Sequence, residues 1–146
     1  MYNIRTLQEA KDYLNENYME GCHCPACGQN VKLYKRKLNS GMARVLVAMY
    51  KNTNSFFHIK DYLRKNNIRN THDWTLLKHW KMIEKCKEND GHWRITHTGT
   101  MFVECKMIAN KHIFILNNQF KKYSNEGTNI IEALGDHFDY KELMDS

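Results

Sequence analysis

The sequence predicts a mixed α+β fold, because segments with helical and with strand-like hydrophobic periodicity follow one another along its 146 residues. Apolar residues recur at helical spacing in three consecutive segments, at about 41–51, 57–66 and 73–85. Strand-like alternation follows at 92–96, and two later runs, 112–116 and 119–123, are predicted to be the strands of a second hairpin. The centre of the predicted fold is therefore three helices followed by a β-hairpin.

The N-terminal segment begins with a capping box, Thr6-Leu7-Gln8-Glu9, which predicts a helix at about 7–18 that ends before Gly21. A Cys-rich turn follows, and the alternation in 31–38 predicts a short basic strand or extended arm. Ser40 is the predicted N-cap of the next helix.

The C-terminal segment is predicted to contain a β-hairpin and short helices. Asn117 and Asn118 tolerate the positive φ of a hairpin turn. Thr128 or Asn129 is the predicted cap of a helix that Gly135 ends, and a last short helix is predicted over 136–144. A further short strand is predicted at 105–108.

The length favours one domain, or one domain with a small appendage. We divide it into three parts: an N-terminal helix, Cys-rich turn and basic arm at 1–38, a helical and hairpin core at 39–104, and a hairpin with an acidic helical tail at 105–146. We expect the last part to pack on the same domain.

Charge is distributed unevenly along the chain, whose net charge is +6. Residues 31–87 contain fourteen Lys or Arg and three acids, whereas residues 126–146 contain six acids and one Lys. This partition favours a basic face that binds phosphates, although an unevenly charged solvated surface is the alternative. In the densest basic run, Lys35, Arg36 and Lys37 predict an arm that crosses a nucleic-acid backbone, against the alternative of a solvated strand edge.

The helix predicted at 73–85 is the candidate reader of duplex DNA, because a helix fits the major groove and its N-terminal residues reach base edges. Trp74, Trp80 and Trp93 are predicted to be core anchors rather than stacking platforms. The candidate base-facing residues are Asn70, Thr71, His72, Thr75 and Lys78. The candidate phosphate contacts are Arg64, Lys65, Arg69 and Lys81. Arg94 is expected to touch an adjacent groove, and Arg44 is a further candidate contact to nucleic acid. The hairpin tip at 87–92 contains Glu88 and Asp90, which weakens a minor-groove role for it.

Three helices are followed by a hairpin, and two motifs mark the third helix and the hairpin: Leu77-x-x-Trp80-x-Met82-Ile83-Glu84 and Trp93-Arg94-Ile95-Thr96-x-x-Gly99-x-x-Phe102. This order and these motifs resemble the recognition helix and wing of the MarR-like winged helix-turn-helix families. The resemblance covers about residues 41–104. It implies a winged-helix core in which the Thr-x-x-Gly step opens the helix after the wing.

The turn Cys24-Pro25-Ala26-Cys27-Gly28 matches a zinc knuckle, since two thiolates at this spacing can hold one Zn²⁺. Cys22 or His23 could supply a third ligand, and the remainder must come from afar. The alternative is a Cys-rich turn that is packed or free. The stretch from Cys24 to Arg44 also resembles small phage proteins that pair such a knuckle with a winged helix.

These observations predict a small DNA-binding protein without enzymatic activity, of the kind that regulates phage or prophage genes. The alternative function is a modulator that binds a host or defence protein. A nuclease using His92 and His97 is a third hypothesis, but no Ser/His/Asp set or phosphate-binding loop accompanies those residues. No apolar run reaches the roughly 20 residues of a membrane helix, so we expect a cytoplasmic protein. Homodimerisation is left open.

Overall fold

A computed structural model describes residues 7–9, 12, 22–23, 30–31, 33–52, 55–68, 72–117 and 119–145. Residues 22, 23, 30, 31 and 72 are described by their backbone alone. The fold is mixed α+β with small antiparallel sheets. It divides into two compact units, a smaller one formed by 1–36 with 112–124 and a larger one formed by 37–111 with 125–146.

The strands in chain order are β1 Cys22–His23, β2 Asn30–Val31, β3 Tyr34–Lys37, β4 Phe57–His58, β5 Ile83–Lys85, β6 His92–Ile95, β7 Ala109–Asn110, β8 His112–Leu116, β9 Gln119–Tyr123 and β10 Gly127–Thr128. The α-helices are α1 Ser40–Lys51, α2 Ile59–Lys65, α3 His97–Val103, α4 Ile130–Leu134 and α5 Tyr140–Asp145. The 3-10 helices are His72–Trp80 and Gly135–His137. Residues 7–9 and 12 are helical, and the rest of the helix predicted at 7–18 lies outside the described residues.

The smaller unit contains two antiparallel arrangements. Strands β1 and β2 pair with each other, and β3, β8 and β9 form a sheet in that order. The predicted hairpin is confirmed, with Asn117 at φ 50° in its turn and an irregular register between Phe114 and Ile115. This hairpin was predicted to belong with the C-terminal tail, but β8 pairs with the basic strand β3 and so covers one edge of that strand.

Helix α1 is the central core helix of the larger unit and buries seven of its twelve residues. It packs against the first 3-10 helix, α3 and α4. The predicted cap at Ser40 is wrong, because Ser40 is already the first helical residue. Asn39 caps the helix instead, and its Oδ1 accepts a 2.9 Å hydrogen bond from the backbone N–H of Met42.

A three-stranded antiparallel sheet in the order β4-β6-β5 follows α1. The helix predicted at 57–66 begins only at Ile59, because Phe57 and His58 pair with Trp93 and His92 as a short strand. His58 then caps α2, and its Nδ1 accepts from the backbone N–H of Asp61 at 3.2 Å.

The helix predicted at 73–85 is wrong in both type and length. Residues His72–Trp80 form a 3-10 helix, Lys81 adopts a left-handed φ of 61°, and Ile83–Lys85 form strand β5. Two hydrogen bonds from Thr96 hold the turn between the 3-10 helix and β5. Its N–H donates to the Met82 carbonyl at 2.9 Å, and its hydroxyl donates to the Lys81 carbonyl at 2.6 Å. The predicted apolar stripe is nevertheless buried.

The C-terminal helices differ from prediction mainly at their boundaries. Asn129 caps α4, accepting from the Glu132 N–H at 2.8 Å, and Gly135 ends it with a φ of 63°, as predicted. The predicted helix at 136–144 is instead a 3-10 turn at Gly135–His137 followed by α5. The strand predicted at 105–108 is also wrong, because the strand at this position is β7 at Ala109–Asn110, which pairs with β10.

Candidate nucleic-acid interface

In the 3-10 helix, residues three positions apart line up in rows, and the buried and the accessible residues lie in different rows. A 3-10 helix has three residues per turn, so residues i and i+3 are eclipsed. Trp74, Leu77 and Trp80 form the buried row, whereas Thr75 and Lys78 form an adjacent row with Thr75 half-buried and Lys78 exposed. The rows therefore place two of the predicted base-facing residues together on the accessible side. Arg69, Asn70, Thr71 and the side chain of His72 lie outside the described residues.

Two tryptophan contacts hold this segment in place. The Trp74 and Trp93 rings meet edge to face with centroids 5.5 Å apart. Trp80 Nε1 donates a 2.7 Å hydrogen bond to the carbonyl oxygen of Asn110. All three tryptophans are buried, which confirms that they are core anchors.

Helix α2 carries three exposed cationic side chains, Lys60, Arg64 and Lys65. Arg64 donates to Asp61 at 3.0 Å, but both side chains are well exposed, at 80% and 49%. Ion pairs this exposed contribute roughly 0–1 kcal/mol, so a phosphate can displace the carboxylate. Lys60 was missed in the sequence analysis, although its spacing of four from Arg64 places both on one side of a helix.

Charge beside the 3-10 helix comes from lysines rather than from histidine. Lys78 and Lys81 are exposed. Partial burial, and then the neighbouring Lys78, lower the pKa of His79 below its usual value. His79 is therefore neutral at neutral pH and adds no positive charge to the surface.

The β5–β6 hairpin has compensated charges. The Arg94 guanidinium is bonded to Glu84 on the adjacent strand and lies over the Phe56 ring, 4.4 Å from its centroid. At the tip, Lys85 bonds Asp90 at 3.0 Å, and this hydrogen bond holds the pKa of that carboxyl below its usual range. These pairs are also well exposed, so a phosphate can displace either carboxylate as at Arg64, although each cation begins with a partner.

The smaller unit contains a second basic region, which we call the basic sheet and define by Lys35, Arg36, Phe114, Lys121 and Lys122. Lys35, Phe114 and Lys122 share one face of this sheet, whereas Arg36, which follows Lys35 on β3, points to the other face. The four cationic side chains of the basic sheet are exposed, and the strands β3, β8 and β9 contain no acidic residue. The Nζ atoms of Lys35 and Lys122 lie 6.0 Å and 5.0 Å from the centroid of the Phe114 ring. Such cation–aromatic groups suit a polyanion.

Lys121 and Lys122 were not predicted to be site residues. Only strand pairing brings β9 into the same sheet as β3, although the alternation of aromatic and basic residues in 119–123 was visible in the sequence. Lys37, the last predicted residue of the basic arm, is also exposed at the end of β3.

Arg44 does not lie on the open surface with the predicted phosphate contacts. It is half-buried on α1, and burial lowers the pKa of its guanidinium from the usual value. It lines a cleft in the larger unit rather than the face formed by α2 and the 3-10 helix.

The Cys-rich turn is described only at its base. Cys24 and Cys27 lie outside the described residues, as do the side chains of Cys22 and His23. The strands β1 and β2 that flank the turn pair antiparallel, with Cys22 opposite Val31 and His23 opposite Asn30. Among the residues that the structure describes, no three His, Cys, Asp or Glu side chains are grouped as metal ligands.

Comparisons with family models, curated proteins and solved structures find no match for this chain. Within the described part of the chain, none of the helices combines the length and apolar character that crossing a bilayer requires. A functional proposal for this chain therefore rests on its sheet topology and on its two basic regions.

Proposed function

We propose that this protein binds duplex DNA through a winged-helix core formed by α1, β4, α2, the 3-10 helix, β5 and β6, and acts as a small transcription regulator of phage type. The observation that carries the proposal is the sheet order β4-β6-β5. A short strand after the first helix that pairs with the second hairpin strand is typical of winged-helix domains. In this arrangement α2 and the 3-10 helix take the places of the helix-turn-helix pair.

The geometry of the 3-10 helix is compatible with groove binding. The major groove is ~12 Å wide and admits a helix. At about 2.0 Å per residue, the nine residues of the 3-10 helix span roughly 18 Å, which is the length that could lie along the groove. Thr75 and Lys78 are the side chains that would face base edges, since the neighbouring row is buried. Lys60, Arg64, Lys65 and Lys81 would contact phosphates.

The test is the salt dependence of binding to a mixed-sequence duplex. We expect that Lys78→Ala combined with Lys81→Asn weakens binding about tenfold, a change of about 1.4 kcal/mol. The slope of log affinity against log salt should fall by about 1, because Lys81 is the one residue of the pair assigned to a phosphate and each phosphate contact contributes about 0.9. Asn is chosen at residue 81 because it tolerates the positive φ. Fluorescence anisotropy measures both quantities.

Lys141→Ala is the matched control, since it removes an exposed lysine from α5. Its affinity and salt slope should stay close to those of the parent. Equal slopes in the double variant and the parent would show that the 3-10 helix does not contact DNA. In the same assay, Lys35→Ala with Lys122→Ala reports separately whether the basic sheet contacts phosphates.

A protein-binding modulator is the other outcome of this test. Such a protein would bind the duplex weakly, with equal affinity in the parent, the double variant and the Lys141→Ala control. That result would leave the winged-helix core as a scaffold for protein contact.

Zinc binding is a separate proposal. The antiparallel pairing of β1 with β2 closes the segment 24–29 at its base, so Cys24 and Cys27 lie in one short connection, as in a zinc knuckle. We expect about one equivalent of zinc in protein purified without chelator, and a lower melting temperature after chelation. A Cys24→Ser, Cys27→Ser variant should lose the metal and show no response to chelator. Metal-free parent protein with an unchanged melting temperature would contradict the proposal.

A further inference from the structure

The larger unit contains a cleft of about 570 Å³ that the DNA-binding proposal does not use. Its walls come from the start of α1 with Arg44, the turn 66–68 that follows α2, and the residues 137–138 before α5. The volume lies within the roughly 300–1,000 Å³ range of small-molecule sites. The cleft is therefore large enough for a small organic ligand.

Arg44 brings an uncompensated positive charge to this cleft. No acidic residue lines the cleft, and among the described residues Arg44 has neither an ion pair nor a hydrogen bond. Asp136 and Asp139 flank the lining residues His137 and Phe138 in sequence, but neither aspartate lines the cleft. Asp139 caps α5 by accepting from the Glu142 N–H at 3.0 Å. A half-buried cation without a partner is unfavourable, and an anion beside it would offset that cost.

The remaining walls combine apolar and hydrogen-bonding groups. Ile68 and Phe138 are half-buried and supply apolar surface. Asn66 Nδ2 already donates to the Tyr62 carbonyl at 2.8 Å, which leaves its amide oxygen as an acceptor. His137 adds a second polar group to the lining of the cleft. One cation beside an apolar wall is the arrangement that suits an amphipathic anion.

We propose that this cleft binds a small organic anion, with its phosphate or carboxylate group on Arg44 and its apolar part against Ile68 and Phe138. Neither Lys78 nor Lys81 lines this cleft, and the inference does not depend on DNA binding. A ligand there would contact the turn 66–68, which connects α2 to the residues before the 3-10 helix.

The test titrates the full chain with phenyl phosphate, benzoate and inorganic phosphate, followed by NMR of the labelled arginine and histidine side chains. We expect saturable shifts at Arg44 and His137 with a dissociation constant of about 1 mM or lower for phenyl phosphate or benzoate. Inorganic phosphate should bind at least about tenfold more weakly, because it leaves Ile68 and Phe138 uncovered. The preferred organic probe distinguishes a phosphate from a carboxylate ligand.

Arg44→Met retains the apolar stem of the side chain and should weaken binding of the preferred probe by at least about tenfold. Lys106→Met removes an exposed lysine outside both basic regions and the cleft, and is the matched control, expected to bind like the parent. Phe138→Ala is a second variant, at a residue outside α1. It should reduce the difference in affinity between the organic probe and inorganic phosphate. Absence of saturable binding, or equal binding by the Arg44 and Lys106 variants, would overturn the proposal. Since no DNA is present, this outcome is independent of the duplex-binding test.

Discussion

Replacing Gly99 with alanine is expected to destabilise the larger unit by about 3 kcal/mol or more, the upper end of the usual cost of overpacking. A Cβ at Gly99 would lie 2.3 Å from the Met82 carbonyl oxygen and 2.6 Å from Ile95 Cγ1. The oxygen cannot move freely, because it accepts the 2.9 Å hydrogen bond from Thr96 that joins the hairpin to the start of α3. The backbone of β5 or α3 must therefore shift.

Gly127→Ala is the matched control for this experiment. Its added Cβ would also be too close to a neighbour, but that neighbour is Cγ2 of Ile108, a side chain that is 73% exposed and able to rotate away. Chemical denaturation of both variants measures the difference in the free energy of unfolding. Equal losses in the two variants would show that α3 does not approach the hairpin at Gly99.

The second large effect is expected at Trp80, whose replacement by alanine should cost about 3–5 kcal/mol. Trp80 is 5% exposed and completes the buried row of the 3-10 helix. Its indole also joins the 3-10 helix to β7 through the 2.7 Å hydrogen bond to Asn110. Alanine therefore removes buried apolar area and leaves a carbonyl without this donor.

Trp80→Phe separates the two contributions. It retains most of the ring but has no indole N–H, so we expect it to cost about 0.5–1.5 kcal/mol, the usual net contribution of one hydrogen bond. Thermal and urea denaturation of the two variants give the packing cost by difference. A phenylalanine variant as stable as the parent would show that the hydrogen bond contributes nothing.

These positions also show how far local sequence patterns predict the fold. The burial of Trp74, Leu77 and Trp80 was predicted from periodicity alone, because burial follows from where apolar side chains recur. The spacing of three that separates them is compatible with an α-helix and with a 3-10 helix. Periodicity therefore predicted the buried face but not the type of helix.

The candidate site was predicted in part for the same reason. Lys78 and Lys81 are exposed as expected, since charged side chains beside a buried stripe face solvent. Arg94 was expected to touch an adjacent groove, and its guanidinium is bonded to Glu84 across the sheet. That pairing depends on register between residues ten positions apart, which the local sequence does not specify.

The sequence by itself determined the mixed α+β class, a cap at Thr128 or Asn129, the helix end at Gly135 and the tryptophan anchors. Each of these depends on side chains within a few residues of one another. Tertiary structure alone decided that the third helix stops at Trp80, that β9 joins the basic strand β3, and that Arg44 lines a cleft. These outcomes depend on which distant backbone groups satisfy each other's hydrogen bonds, as Thr96 does for Lys81 and Met82.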